Sequence, residues 1–419
     1  MMKRSDFEIM APVGSYDSLT AAIQGGADSV YFGIEGLNMR ARSSNNFTID
    51  DLHEIVRICN EHRIKSYLTV NTVIYDEDIP LLHRIIDAAK EAGLSAIIAS
   101  DVAAMTYARE IGVEVHLSTQ LNISNTEALR FYARFADVVV LARELNMEQV
   151  ARIHEAILRD RIVGPGGEPV RIEMFCHGAL CMAVSGKCYL SLHEMNASAN
   201  RGACMQICRR SYEVKDKETG NELEVDNAYI MSPKDLKTIH FLNKLIDSGV
   251  RGFKIEGRAR GPEYVRTVVS CYNEAIESYL NNDFTDEKIA QWDERLATVF
   301  NRGFWNGYYL GQRLGEWTHN YGSGATKRKI YIGKGVKYFS NLGVAEFLME
   351  SGSLSVGDEI LVTGPTTGAL IRKVEEIRVD LKPVQKTVKG ERFSMRIDEK
   401  IRPSDKLFKW VDSSELNTK

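Results

Sequence analysis

Short apolar runs alternate with amphipathic stretches along the first 260 residues of the chain. Eight such runs occur, namely EIMAPV (8–13), SVYFG (29–33), SYLTVN (66–71), AIIAS (96–100), VEVHLS (113–118), DVVVLA (137–142), RIEMFCHG (171–178) and GFKIEG (252–257). Continuous apolar runs are typical of parallel strands covered on both faces, and the stretches between them have the helical period. Eight successive β–α units predict an α/β fold of the TIM (β/α)8 barrel type, since an open doubly wound sheet has no reason to repeat the unit eight times.

The same pattern predicts the division of the chain into domains. We expect the barrel over residues 1–283, with an insertion over residues 179–250 between the seventh and eighth strands, where a barrel loop is normally much shorter. A helical and aromatic connector follows over residues 284–328. From residue 329 onward short β runs replace the helical period and predict a small C-terminal β-barrel domain over residues 329–419. Inside the insertion a hairpin is expected to turn at Thr219 and Gly220.

Composition and charge indicate an ordinary globular protein: 44% of its 419 residues are hydrophobic, 26% are charged, and the net charge is -4. The segment from Ala325 to the end contains eighteen Lys and Arg residues and thirteen Asp and Glu residues, so the C-terminal domain is the more basic part. The N-terminus has no apolar core of signal-peptide length, and no apolar run reaches the roughly 18 residues of a membrane span. We therefore expect a cytoplasmic protein that does not contact a membrane.

Cysteine is concentrated in one short segment. Five of the seven cysteines fall within 33 residues, at Cys176, Cys181, Cys188, Cys204 and Cys208. A reducing compartment argues against a disulfide framework, so four thiolates converging on one metal site are the more direct explanation. The two C-x-x-C knuckles of common zinc sites are absent, which leaves an iron-sulfur cluster, zinc and simple buried thiols as open alternatives.

Polar residues follow the predicted strands, at the end of the barrel where active sites of this fold lie. Candidate catalytic residues are Arg143, Glu144, His177 and Glu256, and candidate substrate-binding residues are Arg40, Arg42, Lys254, Arg258 and Arg209. The cations suit an anionic substrate because arginine can hold a carboxylate through two parallel hydrogen bonds. The carboxylates and the histidine are candidates for proton transfer, although pairing at the barrel mouth explains any one of them equally well.

The motifs of several common enzyme classes are missing. No HExxH zinc-protease motif and no GxSxG nucleophile elbow occurs. Cys176 and His177 are neighbours on a predicted strand, so their side chains are expected to point to opposite faces rather than form a catalytic pair. CMQICRRS nearly matches the cysteine motif of radical S-adenosylmethionine enzymes, but Ser211 stands in the third cysteine's place.

The segment EMFCHGALCMAVSGKCYLS (173–191) resembles the signature of peptidase family U-thirty-two (U32), a family of unknown catalytic type. NRGACMQICRR, EGRARGPEYV and FNRGFWNGYYLG extend the resemblance across most of the chain, which looks most like the bacterial tRNA 5-hydroxyuridine modification proteins. The resemblance implies a [4Fe-4S] cluster, prephenate as cosubstrate, tRNA as substrate and, in some relatives, a second related subunit. Its cluster ligands fall on Cys181, Cys188, Cys204 and Cys208, with Cys176 outside the motif. A U32-type peptidase and a non-catalytic, zinc-stabilised RNA-binding protein are the alternatives.

Overall fold

The computed structural model describes residues 2–42, 46–213, 230–319 and 322–416. The first ten strands are β1 Glu8–Pro12, β2 Ser29–Phe32, β3 Lys65–Val70, β4 Ala96–Ala99, β5 Val115–Leu117, β6 Val138–Val140, β7 Arg171–Gly178, β8 Asp235–Lys237, β9 Val250–Ile255 and β10 Phe304–Trp305. Strands β1 to β7 pair in parallel in chain order, and β9 pairs in parallel with both β7 and β1. The eight strands therefore close into a barrel, which confirms the predicted fold.

Helices separate successive barrel strands and continue after the last one. They are α1 Tyr16–Gly25, α2 Leu52–Glu61, α3 Ile79–Glu91, α4 Val102–Glu110, α5 Thr126–Tyr132, α6 Met147–Arg159, α7 Leu190–Met195, α8 Leu242–Asp247, α9 Pro262–Leu280 and α10 Asp286–Ala297. Single turns of 3₁₀ helix span Arg4–Asp6, Ile49–Asp51, Asp76–Asp78, Thr119–Leu121, Ala199–Arg201, Ile207–Arg209, Ile239–Phe241 and Ser413–Leu416. Side-chain caps start several helices, as Asn125 does for α5 and Asn146 for α6. The apolar face of each long helix packs on the barrel and completes one continuous core.

The region between β7 and β9 contains both an addition to the barrel and a part of the barrel itself. Helix α8 packs against β9 and α6, so the range predicted as an insertion includes the seventh helix of the barrel. Strand β8 runs antiparallel to β7, and β10 pairs in parallel with β8. Strand β10 belongs to the predicted connector, and this pairing brings residues near Phe304 back to the barrel mouth. The hairpin expected at Thr219 and Gly220 lies outside the described residues.

The C-terminal region is all β, as the sequence predicts. Its strands are β11 Lys327–Phe339, β12 Val344–Met349, β13 Ser353–Ser355, β14 Glu359–Gly364, β15 Gly368–Lys373, β16 Ile377–Val379, β17 Lys382–Val384, β18 Lys386–Val388, β19 Arg392–Arg396 and β20 Lys406–Asp412. Eight of them form one antiparallel sheet in the order β15-β14-β20-β11-β12-β19-β16-β17, and β13 pairs with β18. The sequence pattern missed β13, β17 and β18, because three residues are too few to show a period of two.

The β domain packs on the outside of the barrel, against α1 and α9. Gln24 Nε2 donates to the carbonyl oxygen of Thr367 at 2.8 Å, and Lys329 Nζ pairs with Glu263 Oε1 at 2.8 Å. Trp410 is buried in the same apolar core as the barrel helices. The domain therefore lies beside the barrel rather than over its mouth. In the portion of the chain that the structure covers, no helix combines the length and the apolarity needed to cross a membrane.

A buried carboxylate joins three strands at the amino-terminal end of the barrel. Glu8 accepts hydrogen bonds from Tyr67 at 2.7 Å and from Lys65 and Arg171 at 3.0 Å each. Burial alone would raise the pKa of Glu8, but Lys65, the Tyr67 hydroxyl, His116 and Arg171 together lower it to about 2. Glu8, Lys65 and Arg171 are the first residues of β1, β3 and β7, so the network ties these strands at their starts.

We expect Glu8→Ala to lower the free energy of unfolding by about 2–3 kcal/mol, because it leaves a buried hydroxyl and two cations without their acceptor. This loss of unfolding free energy is small for a broken buried ion pair because Lys65 and Arg171 are half-exposed and water screens their charges. The folded-state pKa lies below the usual 4.5, so the carboxylate's contribution is complete above pH 4.5 and disappears as the pH falls toward 2. Urea unfolding at pH 7 and at acid pH measures both effects. The exposed Glu54→Gln is the control, and an equal loss in that variant would contradict the prediction.

Candidate active site

A cavity of roughly 230 Å³ lies at the carboxyl ends of the barrel strands. Residues that follow different strands converge on it: Arg40 after β2, Asn71 after β3, Gln120 after β5, Arg143 after β6 and Glu256 after β9. Because all parallel strands of a closed barrel end at one rim, side chains far apart in sequence meet there. This is the end of the barrel at which the sequence places the active site.

Residues 179–213, here called the cysteine segment, cover part of this mouth. Asn122 Nδ2 donates to the carbonyl oxygen of Ser185 at 3.0 Å. The backbone nitrogen of Arg42 donates to the carbonyl oxygen of Gly202, also at 3.0 Å. Gly202 has a φ of +83°, and a Cβ there would lie 2.4 Å from the carbonyl oxygen of Asn38. Glycine is thus required both for the left-handed turn and for the close approach of the two backbones.

Four thiols of the cysteine segment line the cavity: Cys181, Cys188, Cys204 and Cys208. Burial raises the pKa of Cys208 to about 11, the adjacent Arg209 opposes that rise, and the other three thiols add to it. The four sulfurs are therefore near enough to interact electrostatically. Cys176 is different, because it is fully buried in β7 and its Sγ donates to the carbonyl oxygen of Lys254 at 3.4 Å.

The four thiols are donors of the type that zinc and iron-sulfur groups both take. Among residues 2–42, 46–213, 230–319 and 322–416, no three His, Cys, Asp or Glu side chains lie close enough to hold a single ion. A single zinc ion requires four sulfurs at about 2.3 Å from one point. A polynuclear iron-sulfur group instead takes each thiolate at a different iron, which suits four thiols arranged around a cavity. The residues present fit such a group.

Cations dominate the rest of the lining. Among the described residues, seven positively charged side chains and one carboxylate, that of Glu256, line the cavity; the cations are Arg40, Arg143, Arg209, Lys254, Arg258, Arg260 and Arg302. A cavity lined by charges of one sign concentrates ligands of the opposite sign. The site is therefore suited to an anionic ligand.

Arg258 is the most informative of these cations. It is 7% exposed, and its Nη1 donates to Asn38 Oδ1 at 3.0 Å and to Thr69 Oγ1 at 2.9 Å. Burial lowers the pKa of this guanidinium to about 10. Within the described part of the chain, no carboxylate forms an ion pair with it. A buried cation held only by neutral groups is costly, and an incoming anion compensates that cost.

Arg143 and Arg209 also have neutral partners. Arg143 Nη2 donates to Ser185 Oγ at 3.0 Å, and its guanidinium lies 5.2 Å from the centre of the Phe175 ring. Arg209 donates to the carbonyl oxygens of Pro233 at 2.5 Å and Leu180 at 2.6 Å. These bonds fix the direction of each guanidinium without neutralising it. Arg143, Arg209 and Arg258 thus keep their charge available to a ligand.

Other cations are paired with carboxylates. Arg40 Nη2 donates to Glu256 Oε1 at 2.8 Å, and Lys254 Nζ donates to Glu173 Oε1 at 2.8 Å inside the barrel. Burial alone would raise the pKa of Glu256, but Arg40 and two further arginines, Arg260 and Arg302, lower it. Glu256 is therefore ionised at neutral pH. It can accept a proton or hold a cation, but it is not poised to donate a proton.

The structure does not bring every predicted residue to the cavity. His177 lies behind the cavity wall among Tyr264, Tyr272 and Phe304, and burial followed by the charge of Lys237 lowers its pKa to about 3. Arg42 and Glu144 are exposed and are not among the lining residues. Arg40, Arg143, Lys254, Glu256, Arg258, Arg209 and the four cysteines of the motif do line it.

Sequence reasoning missed three charged residues at this site: Glu173, Arg260 and Arg302. Glu173 is 2% exposed, and its position inside a continuous apolar strand is a signal that could have identified it as a partner for a buried cation. Arg260 and Arg302 both lie against the ring of Phe300, at 3.4 and 5.0 Å from its centre. Arg302 comes from the connector, so only the pairing of β10 with β8 brings it to the mouth.

The fold and the site define a class of protein: a TIM barrel whose active face carries a thiol-rich cavity lined by cations. The chain belongs to peptidase family U32, whose family model matches residues 14–319. This agrees with the resemblance found in the cysteine motif.

Relatives in this family have different names. The chain is 74% identical over 414 residues to a protein named Collagenase from Porphyromonas gingivalis, covering 99% of this chain and all of that protein. It is 31% identical over 416 residues to tRNA hydroxylation protein P1 from Bacillus subtilis, covering 96% of this chain and 94% of the relative. It is 34% identical over 316 residues to the 23S rRNA 5-hydroxycytidine C2501 synthase of Escherichia coli, covering 74% of this chain and 46% of the relative.

Proposed function

We propose that this protein is an iron-sulfur-dependent RNA-modification enzyme that uses prephenate to hydroxylate the wobble uridine of tRNA at C5 without molecular oxygen. The observation that carries the proposal is the cavity itself, in which four thiols and seven cations meet around one carboxylate. A peptide substrate needs no such concentration of positive charge, whereas a small dicarboxylic acid and an RNA phosphate both do.

In this proposal the cysteine segment holds the cluster through Cys181, Cys188, Cys204 and Cys208. When bound, a [4Fe-4S] cluster supplies one-electron redox chemistry. Arg40 lies near Cys204 and is anchored by Glu256, so it links the thiol side of the cavity to the barrel side. This contact positions the two halves of the site relative to each other.

The acid is bound by the cations that lack a carboxylate partner. Arg258 and Arg143 are anchored by neutral groups, which leaves their positive charge for the two carboxylates of the acid. Glu256, kept ionised by its arginine neighbours, serves as the proton acceptor. Lys254 lines the same cavity, but its charge is paired with Glu173 and is not assigned to the acid.

The RNA part of the proposal is supported by the relatives whose names specify tRNA or rRNA hydroxylation. The basic C-terminal domain offers a second region for phosphate contacts, and such contacts weaken as salt increases. A tRNA substrate also implies that the protein works in the cytoplasm. A related subunit as partner, which the family resemblance implies, is also part of the proposal.

The name Collagenase raises peptide hydrolysis as the second candidate. A cysteine peptidase needs a reactive thiolate beside a histidine that can carry charge. Cys176 is fully buried, and burial raises the pKa of its thiol well above the usual value. The neighbouring His177 has its pKa lowered to about 3 and stays neutral. These two residues therefore do not form an activated nucleophile, and RNA modification remains the better-supported function.

The test begins with anaerobic purification and measurement of iron, sulfide and zinc per chain. We expect about four irons and about four sulfides. Undermodified tRNA is then incubated with prephenate. In the proposed exchange the hydroxyl group of the acid replaces the C5 hydrogen of uridine and that hydrogen passes to the acid, so the acid takes up the two electrons that the base loses. Mass spectrometry of the nucleosides should show one added oxygen atom on uridine, and only when prephenate is present.

Two results would overturn the proposal. Stoichiometric zinc with no uptake of iron on reconstitution would indicate a zinc-stabilised RNA-binding protein. Release of peptides from gelatin, lost on Cys176→Ala and accompanied by no change in the tRNA, would indicate a peptidase.

A further inference from the structure

Six large apolar side chains of the cysteine segment are exposed, and four of them line the cavity or have cavity-lining residues on both sides in the chain. Met182, Val184, Tyr189 and Met205 have exposed fractions of 42, 48, 71 and 46%. Met182 itself lines the cavity, and the other three have lining residues on both sides in the chain, namely Ala183, Ser185, Cys188, Leu190, Cys204 and Gln206. Met182, Val184, Tyr189 and Met205, here called the apolar rim, are therefore exposed side chains at or next to the residues that line the cavity. Exposed apolar side chains gathered in one place are typical of a binding surface.

Tyr189 is the most exposed member of the apolar rim. Among the described residues, no ring stacks on it, no cation covers it and its hydroxyl has no hydrogen-bond partner. Tyr75, near the same end of the barrel, is different because the Arg201 guanidinium lies 4.0 Å from the centre of its ring. Arg201 is in turn held by Asp78 at 2.6 Å. The ring of Tyr189 is thus a free flat surface at the edge of the cavity.

The charge around the apolar rim is positive. The cysteine segment contains four cations, Lys187, Arg201, Arg209 and Arg210, against two carboxylates, Glu194 and Glu213. Lys187 and Arg210 are exposed. Below them lies the cavity with its seven cations and one carboxylate. A partner that matches this surface combines negative charge with flat apolar faces, and single-stranded nucleic acid has both.

We infer that the apolar rim is the docking surface for an unpaired loop of RNA, in which a base next to the reacting nucleotide stacks on Tyr189 while phosphates contact Lys187 and Arg210. This inference rests on the proposed function, because it assumes that the cavity acts on a base. A base inside a duplex cannot reach an enclosed site, so the reacting nucleotide must come from a loop or be extruded. Stacking of its neighbour on the apolar rim holds the strand open at the entrance.

The test uses fluorescence anisotropy with a synthetic RNA hairpin that has an unpaired loop and with a fully paired duplex of equal length. We expect Tyr189→Ala to weaken binding of the hairpin about 10-fold, since stacking of one base is worth about 1–3 kcal/mol. Tyr189→Phe retains the ring and should bind like the unaltered protein. Phe131→Ala removes an exposed ring from α5 and is the matched control. Unchanged iron content in all variants shows that the cysteine segment is folded.

The outcomes separate this inference from the proposed function. If Tyr189→Ala binds and modifies RNA as well as the unaltered protein does, the apolar rim is not the docking surface, while the proposed function stands. If the unaltered protein neither binds nor modifies any RNA, both fail. A change of mass in light scattering on Tyr189→Ala, with RNA binding intact, would show that the rim instead contacts a second protein chain and would overturn the inference.

Discussion

Arg258→Gln is expected to raise the KM for the acid cosubstrate by about 100-fold or more, with a much smaller change in the affinity for RNA. The substitution removes a desolvated charge from the cavity, and loss of one partner of a buried charge pair costs about 2–5 kcal/mol. The glutamine amide can still donate to Asn38 and Thr69, so the surrounding hydrogen bonds have a substitute donor. Steady-state kinetics with varied acid at saturating tRNA measures the effect.

Stability distinguishes a ligand-binding role of Arg258 from a structural one. A buried cation without a carboxylate partner is costly, so Arg258→Gln should leave the melting temperature unchanged or raise it. A structural role would lower it. Gly33→Ala is a second variant, because its new methyl group would lie 2.4 Å from Nη1 of Arg258 and push the guanidinium aside without removing the charge. Unchanged acid kinetics in both variants would contradict the assignment.

The pH dependence of the acid KM follows from the same residue. Burial lowers the pKa of Arg258 to about 10, so the side chain is fully charged at pH 7–8 and loses its charge as the pH rises through about 10. The KM of the unaltered enzyme should therefore rise in that range. In Arg258→Gln the KM is already high, and this rise should be absent.

The double substitution of Cys204 and Cys208 by Ala is expected to remove nearly all iron and sulfide from the anaerobically purified protein. Two of the four proposed thiolate ligands are lost, and the remaining pair, Cys181 and Cys188, cannot hold a cluster of four irons. Hydroxylation of tRNA should fall below detection. Visible absorption and metal analysis measure the cofactor, and nucleoside mass spectrometry measures the activity.

Matched controls come from thiols outside the cavity. Cys271→Ala in α9 and Cys176→Ala in β7 each remove one fully buried sulfur that does not line the cavity. Both should keep the full iron content. If Cys176→Ala lost iron as completely as the double variant, Cys176 would be a ligand and the assignment of the motif would be wrong. If the double variant kept its iron, the cluster would lie elsewhere in the chain.

The prediction of the barrel succeeded because its signal is local. Each strand is an apolar run of a few residues, and each helix shows its own period, so both can be identified without knowledge of the rest of the chain. The run EIMAPV (8–13) matches β1 closely for this reason. Helix α8 was missed because its six residues complete fewer than two turns.

The position of the site could also be predicted, since a barrel places the ends of all its strands at one rim. The burial and the protonation state of each residue at that rim could not be predicted. His177 ends β7 and looks like a catalytic residue in the sequence, but it is enclosed by aromatic rings and neutral. Burial and pairing depend on neighbours from distant parts of the chain, which a local pattern does not contain.

The sequence by itself determined the barrel, the all-β C-terminal region and the concentration of cysteine in one segment, because periodicity and spacing are properties of neighbouring residues. Only the tertiary structure decided which charges are paired and which are available. It pairs Lys254 with Glu173, leaves Arg258 with neutral partners and brings Arg302 from the connector to the cavity. These contacts join residues that are far apart in the chain, and the free energy of a charge depends on all the groups that surround it.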